Sequence, residues 1–314
     1  MKTHRAKLVA KASLGGDIMD FRFELDRGRF IGLEPGAHVD IHLADDLIRQ
    51  YSIWDWDHNG TWLNVAVKRE REGRGGSIAM HALEEGCEVE IGEPRNHFPL
   101  QEIDSYKVLI AGGIGATPIA AMAQFLANRD REFQVIYLVR SKADAAFHPV
   151  FSEMNLEDRY ILHCSDDAGM LDLVHLMSTL PAGAQVYSCG PEPMLNALLS
   201  AAINLRGGTV HFERFAAASD MDHAPKSGFE VEVSSTGAVY PVTENQTILE
   251  VLQENGHHID VGCAEGLCGS CMVDVLEGEV DHRDSILSPE EQATNEFMCV
   301  CVSRAASSRL VLKL

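Results

Sequence analysis

Five of the chain's eight cysteines fall between Cys263 and Cys301, and their spacing carries chemistry. Cys263-x4-Cys268-x2-Cys271, followed by a distant cysteine, is the spacing that holds a plant-type [2Fe–2S] cluster. Four thiolates must converge on two irons, three of them from one short loop. Gly262, Gly266 and Gly269 let that loop turn tightly and bring backbone N–H groups near the sulfides, and Ser270 offers a further donor. Two residues compete for the fourth position, Cys299 and Cys301. They sit two apart on what reads as a strand, so their side chains would face the same way. Cys301 is preferred, with 29 residues between it and Cys271, and Cys299 then reads as a buried thiol. A structural zinc site would pair one C-x2-C with a second of similar spacing, and the pattern here differs. Cys87 and Cys164 read as ordinary thiols.

Two other groups of residues could hold nucleotides. Arg49-Gln50-Tyr51-Ser52 closes a strand. There an Arg can neutralise phosphate, the Tyr51 ring can stack on an isoalloxazine, and Ser52 can bond its edge. A bare strand end would look the same, but Gly73-Arg74-Gly75-Gly76-Ser77 follows, with free backbone donors and a hydroxyl at a helix start. Together the two segments suggest a flavin. Further on, Ala111-Gly112-Gly113-Ile114-Gly115-Ala116-Thr117-Pro118 leaves a buried strand and opens a helix, which would seat a pyrophosphate. Cys189-Gly190-Pro191-Glu192-Pro193-Met194 repeats that strand–turn–helix arrangement, and Cys189 there could lie against a nicotinamide ring. Asp166 and Asp167 could bond an adenosine ribose hydroxyl, whereas Arg140 and Lys142 could meet a 2′-phosphate. A nicotinamide donates two electrons and a [2Fe–2S] cluster accepts one at a time, so a flavin is needed between them. No acid–base catalytic residue is required, and none is nominated.

The elements that would position these groups change character along the chain. Residues 1–102 read as short strands separated by turns, among them 19–25, 38–43, 50–56 and 62–68, which predicts an antiparallel β-barrel. Residues 103–218 alternate strands (107–113, 133–140, 160–165, 185–190) with helical stretches near 117–129, 147–156, 170–180 and 191–206. That alternation predicts an α/β doubly wound parallel sheet. Residues 219–228 read as a linker. Residues 229–314 read as a compact α+β domain around the cysteine loop, with strands at 229–235, 238–244, 271–278 and 308–314 and a helix at 247–256. The chain is therefore expected to be multidomain.

Composition narrows the class. At 314 residues with 46% hydrophobic content, the chain can bury several cores, and it has no apolar stretch of membrane-spanning length. Its N-terminus lacks the apolar core of a secretory signal, so a cytoplasmic protein with no membrane partner is expected. A net charge of −21 argues against nucleic acid. From Lys226 to Leu314, 15 acidic residues face 5 basic ones, a balance of −10 that would suit a basic protein partner.

With these motifs in this order, residues 49–52, 73–77, 111–118, 189–194 and 263–301, the chain resembles the phthalate dioxygenase reductase family, which includes vanillate demethylase reductase subunits. The resemblance spans the whole chain and implies a flavin barrel, an NAD domain and a C-terminal ferredoxin-like domain. It implies FMN, with its phosphate near Arg49 and Ser77 beside Gly75 and Gly76, and with Ala66 and Lys68 bordering the ring. It implies NADH across Gly112, Gly113, Gly115, Thr117, Asp166, Cys189, Gly190 and Pro191, and Phe215 near the flavin. The closing CVSRA segment supports Cys263, Cys268, Cys271 and Cys301 as cluster ligands, with Cys299 a departure from the family pattern. The implied partner is an oxygenase component with a Rieske centre, served by a monomer. A stand-alone NADH diaphorase or oxidase, and an iron–sulfur redox sensor, are the competing classes.

Overall fold

The computed structural model describes residues 2–44, 47–73, 75–101, 103–215, 227–261, 264, 266, 269–287 and 289–314. Its chain contacts divide into two compact units, Met1–Glu213 and Arg214–Leu314.

The first unit opens with β1 (Thr3–Gly15), β2 (Ile18–Leu25), β3 (Ala37–Ala44), β4 (Leu47–Trp56) and β5 (Trp62–Lys68), followed by helix α1 (Gly76–Ala82), β6 (Glu88–Gly92) and the short β7 (Arg95–Asn96). The sheet order β4-β5-β2-β1-β6-β3-β7, with β3 also paired to β4, closes six antiparallel strands into a barrel. Alternation sets its core: Phe21, Phe23 and Leu25 of β2 meet Leu63, Val65 and Val67 of β5 inside. The opposite face of the same two strands is also covered, because Ile18 and Ala66 pack into the following α/β part. Strand β1 lies outside the strands expected from sequence. Of its 13 residues only Ala6 and Leu8 are buried, so its apolar period is too short to read.

The α/β part comprises β8 (Lys107–Gly112), α2 (Ala116–Ala127), β9 (Phe133–Val139), α3 (His148–Glu153), β10 (Tyr160–Cys164), the single turn α4 (Ser165–Ala168), α5 (Leu173–Thr179), β11 (Gln185–Cys189), α6 (Glu192–Ala201) and β12 (Thr209–Glu213). Its sheet is wholly parallel, in the order β10-β9-β8-β11-β12. Central β8 is buried along its entire length, as a strand covered on both faces must be. Helix α2 buries nine of its twelve residues. It lies against the barrel as well as the sheet: Gln124 Nε2 donates to the Trp54 carbonyl at 2.9 Å, and the Trp54 ring meets Phe147 edge-on at 5.5 Å.

The second unit holds β13 (Phe229–Val233), β14 (Ala238–Val242), α7 (Ile248–Glu254), β15 (Met272–Glu277), β16 (Val280–Asp281), α8 (Pro289–Thr294), β17 (Phe297–Cys299), β18 (Arg304–Ala305) and β19 (Arg309–Lys313). Five of these strands form one mixed sheet, β14-β13-β19-β15-β17. A capping box starts α7: Thr247 Oγ accepts from the Glu250 N–H, and the Glu250 carboxylate accepts from the Thr247 N–H. The helix then buries Ile248, Leu249, Val251 and Leu252 against the sheet. The proposed linker falls largely on residues 216–226, outside those described. Among the described residues no helix is long and apolar enough to cross a membrane.

Candidate functional site

In the first unit, the barrel's Arg49–Ser52 segment and the sheet's strand ends each form a close-packed rim. Tyr51 is largely buried, which pushes its hydroxyl above its ordinary range. Arg49 passes directly over Gly76, where any Cβ would run into its Cγ and Nε, so the glycine is there for the arginine's passage. Gly75, at φ 78°, turns the chain into α1 through the left-handed region. Ser77 Oγ accepts from the Glu70 N–H at 2.9 Å and donates to the Glu70 carbonyl at 3.3 Å, while Lys68 Nζ pairs with Glu70 at 2.8 Å. The hydroxyl read from sequence as a phosphate contact thus closes the loop after β5. Arg74 lies outside the described residues.

On the sheet side, β8 and β11 run so close that side chains do not fit between their ends. A Cβ on Gly190 would lie 2.9 Å from the Gly112 Cα, and one on Gly115 would strike the Cys189 carbonyl. Gly113 sits at φ 53°, again left-handed. Thr117 is buried and donates from Oγ1 to the Ile114 carbonyl at 3.1 Å, so it fastens the first turn of α2. Asp166 is exposed beyond β10, and its N–H donates to the Arg140 carbonyl at 2.9 Å. The acidic and basic groups expected from sequence to compete for an adenosine end thereby lie on one edge. Phe215, 40% exposed, falls in the second unit, past the last strand of the first.

A residue that the sequence reading did not single out completes this rim. Glu213, the last residue of β12, pairs in register with Cys189 and is partly buried, with its Oε2 shielded from solvent. Burial raises its carboxyl from 4.5 to about 8, against the hydrogen bond that Ser52 donates to it. Its Oε2 has no hydrogen-bond partner. Burial, then the Glu213 charge, push the Cys189 thiol well above its usual value. Ser52 from the flavin motif and Cys189 from the nicotinamide motif are therefore joined through one partly buried acid. A Glu closing a short parallel strand beside Cys189 was the available signal.

The second unit holds three of the six described cysteines. Cys263 and Cys268 lie outside the described residues. Cys271, Cys299 and Cys301 are all buried. Both Cys299 and Cys301 hydrogen-bond to Cys271, and these bonds pull the Cys271 thiol below its ordinary range. The bond to Cys271, followed by burial, drives Cys299 upward. The two candidates do not lie along one strand as expected: β17 ends at Cys299 and the chain then turns, with the Ser303 N–H donating to the Cys299 carbonyl at 3.0 Å. Gly266 and Gly269 both have positive φ, and a Cβ on Gly266 would lie 2.5 Å from the Val302 Cγ2. Gly266 is thus packed against the turn that carries Cys301. Two buried thiols hydrogen-bonded to a third fit a thiolate-bound cluster.

Comparisons with known proteins agree with both halves. The oxidoreductase FAD-binding domain model matches residues 5–99, and the 2Fe-2S iron-sulfur cluster binding domain model matches residues 231–306. A vanillate O-demethylase oxidoreductase from Pseudomonas sp. (strain HR199 / DSM 7063) is 39% identical over 95% of this chain and 96% of its own length. The solved structure of phthalate dioxygenase reductase, described as modular for electron transfer from pyridine nucleotides to [2Fe-2S], superposes with a TM-score of 0.72 at 32% identity, covering 99% of this chain and 98% of that one. An intact type IV self-sufficient cytochrome P450 monooxygenase superposes with a TM-score of 0.87 at 34% identity. It covers 99% of this chain, which spans about two fifths (41%) of that longer polypeptide.

Proposed function

Because this chain belongs to the phthalate dioxygenase reductase family, we propose that it takes electrons from NADH through FMN and its [2Fe–2S] cluster and delivers them singly to the Rieske centre of an oxygenase. The protein is an oxidoreductase with a flavin domain and a [2Fe–2S] domain. The observation that carries the reading is the junction of Ser52, Glu213 and Cys189, where the flavin and nicotinamide motifs meet.

When bound, the flavin converts a two-electron hydride into single electrons, and the cluster relays them. The chain's own contribution is positioning. Arg49 neutralises the flavin phosphate beside Gly75, Gly76 and Ser77, the Tyr51 ring stacks, and Ala66 and Lys68 border the ring. Gly112, Gly113, Gly115 and Gly190 remove side chains, so that backbone approaches the dinucleotide, with Thr117 and Pro191 holding the helix starts. Cys189 stays a neutral thiol against the nicotinamide, and Glu213 holds a proton at neutral pH within reach of Ser52. Asp166 takes the ribose hydroxyls and so favours NADH. Cys271 and Cys301 would bind the cluster together with Cys263 and Cys268.

An anaerobic titration with NADH, and in parallel NADPH, followed across the visible spectrum, tests this. NADH should bleach the flavin and iron–sulfur bands together. Loss of the flavin band alone would take the cluster off the path and leave a simple diaphorase. Mass spectrometry of the released flavin distinguishes FMN from FAD. The likeness to a self-sufficient P450 favours a second partner class, a haem monooxygenase. NADH consumption stimulated by a P450 but not by a Rieske oxygenase would select it.

A further inference from the structure

Val300 is pinned on both sides: its N–H donates to the Cys271 carbonyl at 3.3 Å, and its carbonyl accepts from the Leu249 N–H at 3.0 Å. The residues flanking it, Cys299 and Cys301, each turn a sulfur onto Cys271. Two thiolates bound at about 2.3 Å to one tetrahedral metal ion lie roughly 3.8 Å apart, which is the range of a sulfur–sulfur hydrogen bond. Cys299 and Cys301, which flank the Val300 peptide bonded to Cys271, are therefore both within reach of Cys271, as a second thiolate on a shared metal ion must be. Packing alone does not call for a thiol at position 299. The site is fully buried, among Val273, Met298 and Leu312, and an aliphatic side chain would fill it without a polar group.

We propose that Cys299 is a reserve ligand for the [2Fe–2S] cluster, able to take the iron position of Cys301 when that thiolate is lost. The inference rests on reading this unit as a cluster domain. In the exchange the Cys301 sulfur leaves the iron, the Cys299 sulfur binds it, and the Cys299 proton passes to solvent, with no change in oxidation state. The pinned Val300 makes the exchange local, because both sulfurs reach the same place from one fixed peptide.

The test uses the full chain as C299A, C301A and C299A/C301A variants. It reads iron and acid-labile sulfide content, the visible spectrum, and the EPR signal after dithionite reduction. C299A should match the wild type. C301A should keep about half or more of the wild-type iron but with displaced EPR g values, and the double variant should lose roughly tenfold or more. A C301A chain as poor in iron as the double variant, yet melting cooperatively, overturns the proposal. So does a C299A chain that is itself empty, since Cys299 would then be the resident ligand. Should C301A fail to fold, C301V refills the space and is read in the same way. A wild-type chain without iron would defeat the cluster reading itself, which the variants alone would not.

Discussion

Glu213 ends strand β12 with a carboxyl that burial raises to about 8. Its folded pKa lies above the ordinary 4.5, so the neutral form's stabilising contribution is complete below about 4.5 and disappears as pH rises through about 8. E213Q keeps an acceptor for Ser52 and removes the titration. Melting of the two proteins between pH 5 and about 9.5 should show the wild type losing stability steadily up to about 8 and levelling off above it, while E213Q lacks that decline. In stopped-flow reduction by NADH, the inflection near pH 8 should vanish in E213Q. Gly115 is a second decisive residue. Its missing Cβ lets α2 start against the Cys189 carbonyl, so G115A must push backbone from backbone. We expect a cost of about 1–3 kcal/mol in denaturant unfolding and a raised KM for NADH, with the visible spectrum of the bound flavin unchanged.

Among the elements of the second unit, the short β18 does more than its length suggests. Arg304, 6% exposed, donates to the carbonyls of Gln246, Thr243 and Ser227, and its guanidinium lies 5.0 Å from the Phe229 ring centroid. One side chain thus fastens the β14–α7 connection and the residues leading into β13 to the strand that follows the Cys301 turn. A lysine has one compact ammonium in place of a planar fork and cannot serve three carbonyls in different directions. R304K should destabilise the unit by roughly 2 kcal/mol, and R304A by more, because three backbone carbonyls lose their donor. Urea unfolding followed by far-UV circular dichroism checks both, and equal stability of R304K and the wild type would show that the fork geometry is not needed.

Across the molecule, the acidic excess is concentrated, with 15 acidic and 5 basic residues from Lys226 onward. Charge of one sign on the electron-delivering unit speeds encounter with a basic partner and is screened within about 10 Å at 0.1 M salt. Oxygenase reduction should therefore slow several-fold between about 0.05 and 0.5 M salt, while reduction of a neutral dye by NADH changes little. A salt-insensitive oxygenase rate would remove charge from the docking argument.

The sequence by itself determined the architecture, because that rests on local period: alternating runs make the barrel, strand–helix alternation makes the parallel sheet, and the cysteine spacing marks the cluster loop. The glycines at 112, 115 and 190 were legible for a related reason, since a strand–turn–helix junction without side chains has few other uses. Tertiary structure decided what depends on residues distant in sequence. It decided that β1 joins the barrel, because a strand with two buried residues has too little pattern to announce itself. It decided that Glu213 meets Ser52, a contact across 161 positions that only the packing of barrel on sheet creates. It also brought both Cys299 and Cys301 to Cys271, because a turn after β17, and not strand alternation, sets where those two sulfurs point.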